Sequence, residues 1–258
     1  MNKKIFHLLL FAIFFSLIFI FSVAPMTEAT ERNKPGTLDN DPNLAGWWKF
    51  DEASEKITPD SSRHSRNGTP KEGLSFVKNS AQGKTGKALK FNGDGYVEIT
   101  KYKGVTGTRP RTVAAWIKTE NDDGEIVSWG TDDFGKMFRF CFIRGRIGIT
   151  PNGGYYYMKE PVDDDKWHHL VVVVKEAELP NLHDDVVLYK DGVIAEVHDI
   201  GLLDLWPVDT GSDLDVRIGR GLESIIDDVR IYDRVLSDEE IMALFRLQSD
   251  RPLPKSEK

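Results

Sequence analysis

The run IIDDVRIY at residues 225–232 places two adjacent carboxylates in an otherwise strand-like segment. On a strand alternate side chains share a face, so Ile225, Asp227, Val229 and Ile231 are expected on one side and Ile226, Asp228, Arg230 and Tyr232 on the other. An ionised carboxylate among Ile and Val is costly to bury without a cation or several donors. Asp227 must therefore meet a metal ion, a set of backbone N–H groups, or an arginine such as Arg63 or Arg66, whereas Asp228 reads as solvated. The stretch DDDKWHHL, residues 163–170, also gathers acids and histidines. His168 and His169 are neighbours, however, and on a strand they point to opposite faces, so one ion cannot hold both. The segment has neither the H-E-x-x-H spacing nor the alternating acids of an EF-hand loop. Both histidines read as structural.

Aromatic side chains supply a second kind of chemistry. Tyr155, Tyr156 and Tyr157 follow Gly153 and Gly154, and whichever parity faces the core, at least one ring faces water. A flat apolar ring with a polar edge suits stacking against a sugar. Trp206, in the loop sequence LLDLWPVD, is a candidate of the same kind. Ordinary sheet-face packing is the competing reading for all four. Cys141 sits among alternating aromatics in MFRFCFIRG, where an apolar strand interior raises thiol pKa, so it reads as buried and inert. No catalytic residue is assigned. Glycoside hydrolysis needs two carboxyl groups at a set separation, and sandwich glucanases commonly carry them as E-x-D-x-x-E on one strand. None of the strand-like segments carries that spacing, and DDKW, DLDVR and IDDVR do not reproduce it.

The elements that would position these residues are short. GWWKFD, KALKFN, GYVEIT, RTVAAWIKT, EIVSWG, MFRFCFI, RIGIT, WHHLVVVVKE, DVRIG and IIDDVRIY are rich in β-branched and aromatic residues and separated by Gly, Asp, Asn or Pro. Asp191-Gly192 and Arg144-Gly145 mark tight hairpins. Many strands without interleaved helices predict an all-β fold, a two-sheet antiparallel jelly-roll sandwich. One short C-terminal helix is marked by Ser237 as N-cap, Glu240 three residues on, and the staple pair Leu236 and Ile241. Its apolar stripe, Ile241, Leu244 and Phe245, predicts that it lies along the sandwich.

Residues 1–29 contain two lysines, a long apolar run and a small-residue cleavage site near Ala29, and read as a signal peptide or an uncleaved membrane anchor. Residues 30–43 are polar and read as a linker, 44–248 as one domain, and 249–258 as a flexible tail. A single cysteine in an exported chain leaves no internal disulfide. The chain of 258 residues has net charge −7 and no basic block, which argues against a nucleic-acid partner. Membrane contact is expected only through the N-terminal segment. Asn67-Gly68-Thr69 fits a glycosylation sequon.

In order along the chain, GWWKFDE, DSSRHSRNGTP, GKTGKALKFNGDGYVEI, RTVAAWIKT, DDKWHHLVVVV, VVLYKDGVIA, IGRG and IDDVRIYDRVLSDEEI resemble the bacterial LamG-like, or concanavalin A-like lectin/glucanase, jelly roll. The resemblance spans about residues 44–247. It implies an exported carbohydrate-binding, adhesive or recognition module, with a glycan or an extracellular protein surface as partner, and a structural calcium. The family's calcium acids match Asp51 and Asp227, with further oxygens from the loop matching DSSRHSRNG, so Asp51, Asp60, Asn67 and Asp227 form the expected calcium set. This loop carries Arg63, His64, Ser65 and Arg66 where related loops have more glycine, and LESI stands where a glycine commonly precedes the last strand. A docking or structural domain of the cell envelope is the alternative function, and a hydrolase or lyase on the same scaffold a lesser one.

Overall fold

The computed structural model describes residues 38–51, 56–198 and 206–249. The signal or anchor segment, residues 30–37 of the linker and residues 250–258 of the tail lie outside them. In chain order the strands are β1 (Leu44–Trp48), β2 (Thr69–Lys71), β3 (Ser80–Gln82), β4 (Lys87–Lys90), β5 (Tyr96–Ile99), β6 (Arg111–Lys118), β7 (Glu125–Gly130) and β8 (Met137–Ile143). They continue with β9 (Arg146–Thr150), β10 (Tyr156–Met158), β11 (Trp167–Val174), β12 (Val186–Lys190), β13 (Val193–Ile194), β14 (Val197–His198), β15 (Leu214–Ile218) and β16 (Ile225–Tyr232), followed by helix α1 (Asp238–Ser249).

Two eight-stranded antiparallel sheets result. The first runs β13-β12-β11-β6-β16-β4-β3, with β1 also paired to β16, and the second runs β14-β10-β9-β8-β7-β15-β5-β2. Strict alternation decides which side chains fill the space between them. Val113, Ala115 and Ile117 of β6 and Leu170, Val172 and Val174 of β11 meet Val127 and Trp129 of β7 and Phe138 and Phe140 of β8 in one core. Each fully buried aliphatic side chain there contributes about 1.5–3 kcal/mol. The expected hairpins are present: Arg144 and Gly145, and Asp191 and Gly192, all have positive φ, the conformation a two-residue hairpin turn requires.

The outer face of the first sheet is covered as well. Ala114, Val171, Val173, Tyr189 and Tyr232 pack against Leu236, just ahead of α1, and against Ile241 and Leu244 of α1. The helix begins as the sequence predicts: Ser237 N donates to Glu240 Oε2 at 2.9 Å and Glu240 N to Ser237 Oγ at 3.3 Å. Among the described residues α1 gives the second sheet no such cover, and Glu98, Arg217, Arg139 and Thr150 on its outer face are partly exposed.

Two expectations are corrected. Residues 38–43 are not linker. Leu38 is buried in the cluster under α1, Asp39 pairs with Arg230 at 2.6 Å, and Asp41 pairs with Arg234, so the fold begins before β1. The alternation expected for β16 also fails, because Asp228 adopts φ 51° and the register to β6 shifts between Asp227 and Arg230. This bulge places Ile226, Val229 and Ile231 in the core and turns Ile225 and Asp227 to the outer face beside Trp116.

Candidate functional site

The open face of the second sheet presents a continuous cross-strand row. Thr69, Glu98, Arg217, Ser128, Arg139 and Thr150 are register partners in turn from β2 through β5, β15, β7 and β8 to β9. Each is the outward residue between core residues such as Val97 and Ile99, Val216 and Ile218, or Phe138 and Phe140, so the hydrophobic alternation itself aims the row outward. The charges along it are matched. Lys71 Nζ lies 3.0 Å from Glu98, Lys103 Nζ 2.9 Å from Asp215, and Arg139 Nε 3.3 Å from Glu125. Burial raises the Asp215 carboxyl, but Lys103 and the Lys101 N–H outweigh it and hold it below the usual carboxylate range. Beneath these pairs, Arg217 Nε and Glu125 Oε2 are buried with no hydrogen-bond partner among the described residues.

A second row lies alongside. Glu125, Cys141, Gly148, Tyr157 and His198 are successive partners across β7, β8, β9, β10 and β14. A side chain at Gly148 would strike the Tyr156 carbonyl and Tyr157 Cβ, so glycine lets β10 approach. The Tyr157 ring lies 5.0 Å from His198 and 5.8 Å from Tyr155, while Arg144 donates to the Tyr155 hydroxyl at 2.6 Å. At the other end of this row a cleft of about 550 Å³ opens between Glu72, Asp94, Glu125, Cys141 and Arg220. Burial pushes the Cys141 thiol up to about 12.

The expected ligand-binding residues thus divide. Tyr155 and Tyr156 are half-buried, Tyr157 is buried within the aromatic strip, and Trp206 is exposed at the rim, stacked on Phe134. Phe134, Arg217, Arg139 and Glu125 were not singled out from the sequence. The polar-apolar alternation of LDVRI at 214–218 carries the signal for Arg217, but only pairing with Ser128 and Glu98 shows that it joins a row.

The expected calcium set also divides. Asp51 and Asp227 face the same turn, Gly83–Lys87: Asp51 Oδ1 accepts the Lys87 N–H at 2.8 Å and Asp227 Oδ2 the Thr85 N–H at 3.1 Å. Gly83 and Gly86 fit where a Cβ would collide with these two carboxylates. Asp60 and Asn67 belong to a different cluster. Asp60 accepts from the backbone N–H groups of Trp47, Ser62 and Arg66 and from the Ser62 hydroxyl, and Asn67 Oδ1 accepts the Asp60 N–H. Their oxygens organise their own loop. Arg66 donates to the Ala45 carbonyl and lies 4.0 Å over the Tyr102 ring, and Arg63 donates to the Asn40 carbonyl; these contacts belong to the N-terminal loop, not to Asp227. Asp228 is not solvated, since its carboxylate takes the Trp47 indole N–H and the Arg230 Nε. Among the described residues no group of three or more His, Cys, Asp or Glu side chains is arranged to hold a metal. Burial, with Asp228 and Asp51 adding like charge, pushes the Asp227 carboxyl up to about 8.

A family model described as the concanavalin A-like lectin/glucanases superfamily matches residues 91–242. The chain belongs to that superfamily. Among solved structures, this superfamily member is similar to domain 4 of AbnA, a GH43 extracellular arabinanase from Geobacillus stearothermophilus, in complex with arabinotriose, with TM-score 0.58 and 18% identity over 78% of this chain and 98% of that one. It is also similar to the botulinum neurotoxin serotype G binding domain, with TM-score 0.52 and 14% identity over 81% of this chain and 52% of that one. The chain therefore spans about half the length of that toxin binding domain. These likenesses establish the shared sandwich fold. No curated protein matches the chain.

Proposed function

We propose that this chain is an exported, non-catalytic recognition module that binds a carbohydrate on the open face of the second sheet. The observation that carries this reading is the row from Thr69 to Thr150, in which the half-buried polar side chains Glu98, Arg217, Arg139 and Thr150 stand in register across adjacent strands on one face. Sugar hydroxyls both donate and accept, and a face of mixed, mutually neutralised charge serves both roles. Domain 4 of AbnA, with its bound arabinotriose, supports the same reading at the level of fold. The acids support a non-catalytic role. A general acid needs a raised pKa, whereas Glu98, Glu125 and Asp215 on this face each have a basic partner. The raised carboxyl, Asp227, is 1% exposed on the opposite sheet.

A structural calcium belongs to this proposal in reduced form. Two crowded acids under a glycine-containing turn, one of them pushed above neutrality by burial and by the like charge of Asp228 and Asp51, suit a divalent cation. Asp51 and Asp227 would hold it; Asp60 and Asn67 are committed elsewhere. The ion would offset their repulsion and fasten the end of β1 to β16.

The test is an immobilised oligosaccharide array probed with the purified chain, with and without calcium. Binding to a saccharide set that is weakened about tenfold or more by Arg217→Ala supports the reading, since loss of a charge-assisted hydrogen bond is worth about that much. Silence across the array in both conditions overturns it.

A further inference from the structure

The face just described ends in a feature that needs its own explanation. Phe134 and Trp206 are 59% and 45% exposed, yet their rings lie within 18° of parallel with centroids 5.8 Å apart. Both press on one point, because a Cβ at Gly153 would fall 2.4 Å from Trp206 and 2.9 Å from Phe134. Two large exposed rings stacked side by side make a contiguous apolar patch of the kind that marks an interaction site.

The backbone beneath is fixed rather than loose. Gly135 N donates to the Asn152 carbonyl at 3.0 Å, Met137 N to the Pro151 carbonyl at 3.1 Å, and Asp209 N to the Gly135 carbonyl at 3.1 Å. These bonds join the segments that carry Phe134, Gly153 and Trp206, so the rings are presented with little left to order on binding. Polar groups lie at their edge. Asp132 Oδ1 accepts from Arg139 Nη2 at 3.2 Å and Asn152 Nδ2 at 3.4 Å. Arg139 is also the β8 member of the cross-strand row, so the platform is continuous with that face.

The geometry points to a saccharide-stacking subsite in which a neutral pyranose or furanose ring lies on the Phe134–Trp206 platform while its hydroxyls bond Asn152, Asp132 and Arg139. The occupant is an uncharged sugar unit because Asp132 and Arg139 already neutralise each other, and because a sugar needs the apolar and polar strips side by side. This inference rests on the carbohydrate reading above, and makes the platform the anchor for a chain that continues along the sheet.

The test is affinity electrophoresis of the full chain in gels containing arabinan, xylan or mixed-linkage β-glucan. Trp206→Ala and Phe134→Ala are each expected to weaken retardation by the bound polysaccharide about tenfold or more, with Trp206→Phe retaining most of it and thermal melting unchanged. If Arg217→Ala abolishes retardation while Trp206→Ala and Phe134→Ala do not alter it, the platform is overturned and the carbohydrate reading stands. If no polysaccharide retards the wild type, both fall. Concentration-dependent dimerisation lost in Trp206→Ala, without retardation, would make the platform a contact between copies and overturn its assignment to sugar.

Discussion

Asp51 and Asp227 converge on a single turn from opposite ends of the domain: one accepts the Lys87 N–H, the other the Thr85 N–H. They are close enough for Asp51 to help raise the Asp227 carboxyl to about 8. The turn between them is built on Gly83 and Gly86, whose missing side chains leave room for the two acids.

Calcium is expected to relieve this crowding. At a concentration about 100 times its dissociation constant, a single bound ion adds about 3 kcal/mol of stability, or about 6–12 °C in melting temperature for a domain of this size. Asp227→Asn is expected to remove that increment. Equal shifts in wild type and variant, or none in the wild type against chelator, would remove the ion from this turn.

Without a divalent ion the same residue sets a pH dependence. The folded state keeps a proton on Asp227 up to about 8, whereas an unfolded aspartate releases it near its ordinary value of about 3.9. The folded state therefore binds more protons in that window, and stability falls as pH rises from about 4 to about 8. Denaturant melts in chelator should show this slope in the wild type and lose it in Asp227→Asn.

His168 should act over a narrower range. Its Nδ1 lies 2.8 Å from Asp191 and its Nε2 3.0 Å from Asp164. The Asp191 bond, opposed by burial and aided by Asp164, raises its pKa. The imidazolium's contribution is complete below the unfolded value of about 6.5 and lost as pH rises through the folded value. Asp191→Asn suits the test, because Asn tolerates the left-handed backbone of that hairpin and can still accept the His169 N–H. Titration of the His168 ring by NMR should move to lower pH in the variant. An unchanged midpoint would exclude the bridge.

Arg111 is fully buried and has no carboxylate partner among the described residues. Its guanidinium donates to the carbonyls of Val105, Gly107 and Arg109 and to the Thr210 hydroxyl, and burial lowers its pKa to about 9. Lysine has one nitrogen where this loop needs three, so Arg111→Lys is expected to cost about 2–3 kcal/mol in denaturant melts. A loss below about 0.5 kcal/mol would show that the loop does not depend on the fork.

What the sequence made legible was local. The hairpins at Arg144-Gly145 and Asp191-Gly192 and the cap at Ser237 depend on residues next to one another, and all are present. The strand pattern and the motif series similarly sufficed for the sandwich. The face of Asp227 was misjudged because one left-handed residue, Asp228, inverts the alternation, and nothing in IIDDVRIY marks the bulge. Asp60 reads from the sequence as one of the calcium acids, because the loop's own N–H groups that occupy it come together only in the fold. The row through Arg217 and Arg139 was invisible for another reason. Its members come from six strands, and only the register of each pair brings them into line.

The pairing of β1 with β16 has a mechanical consequence. Leu44 faces Tyr232 and Trp48 faces Val229, so the strand where the sandwich starts and the strand that precedes its last helix open from the same end. A pull that separates Leu44 from Tyr232 meets this ladder one rung at a time, like a zip, and not all at once in shear. Tension applied this way is borne first by the residues ahead of β1: Leu38 in its pocket, Asp39 on Arg230 and Asp41 on Arg234.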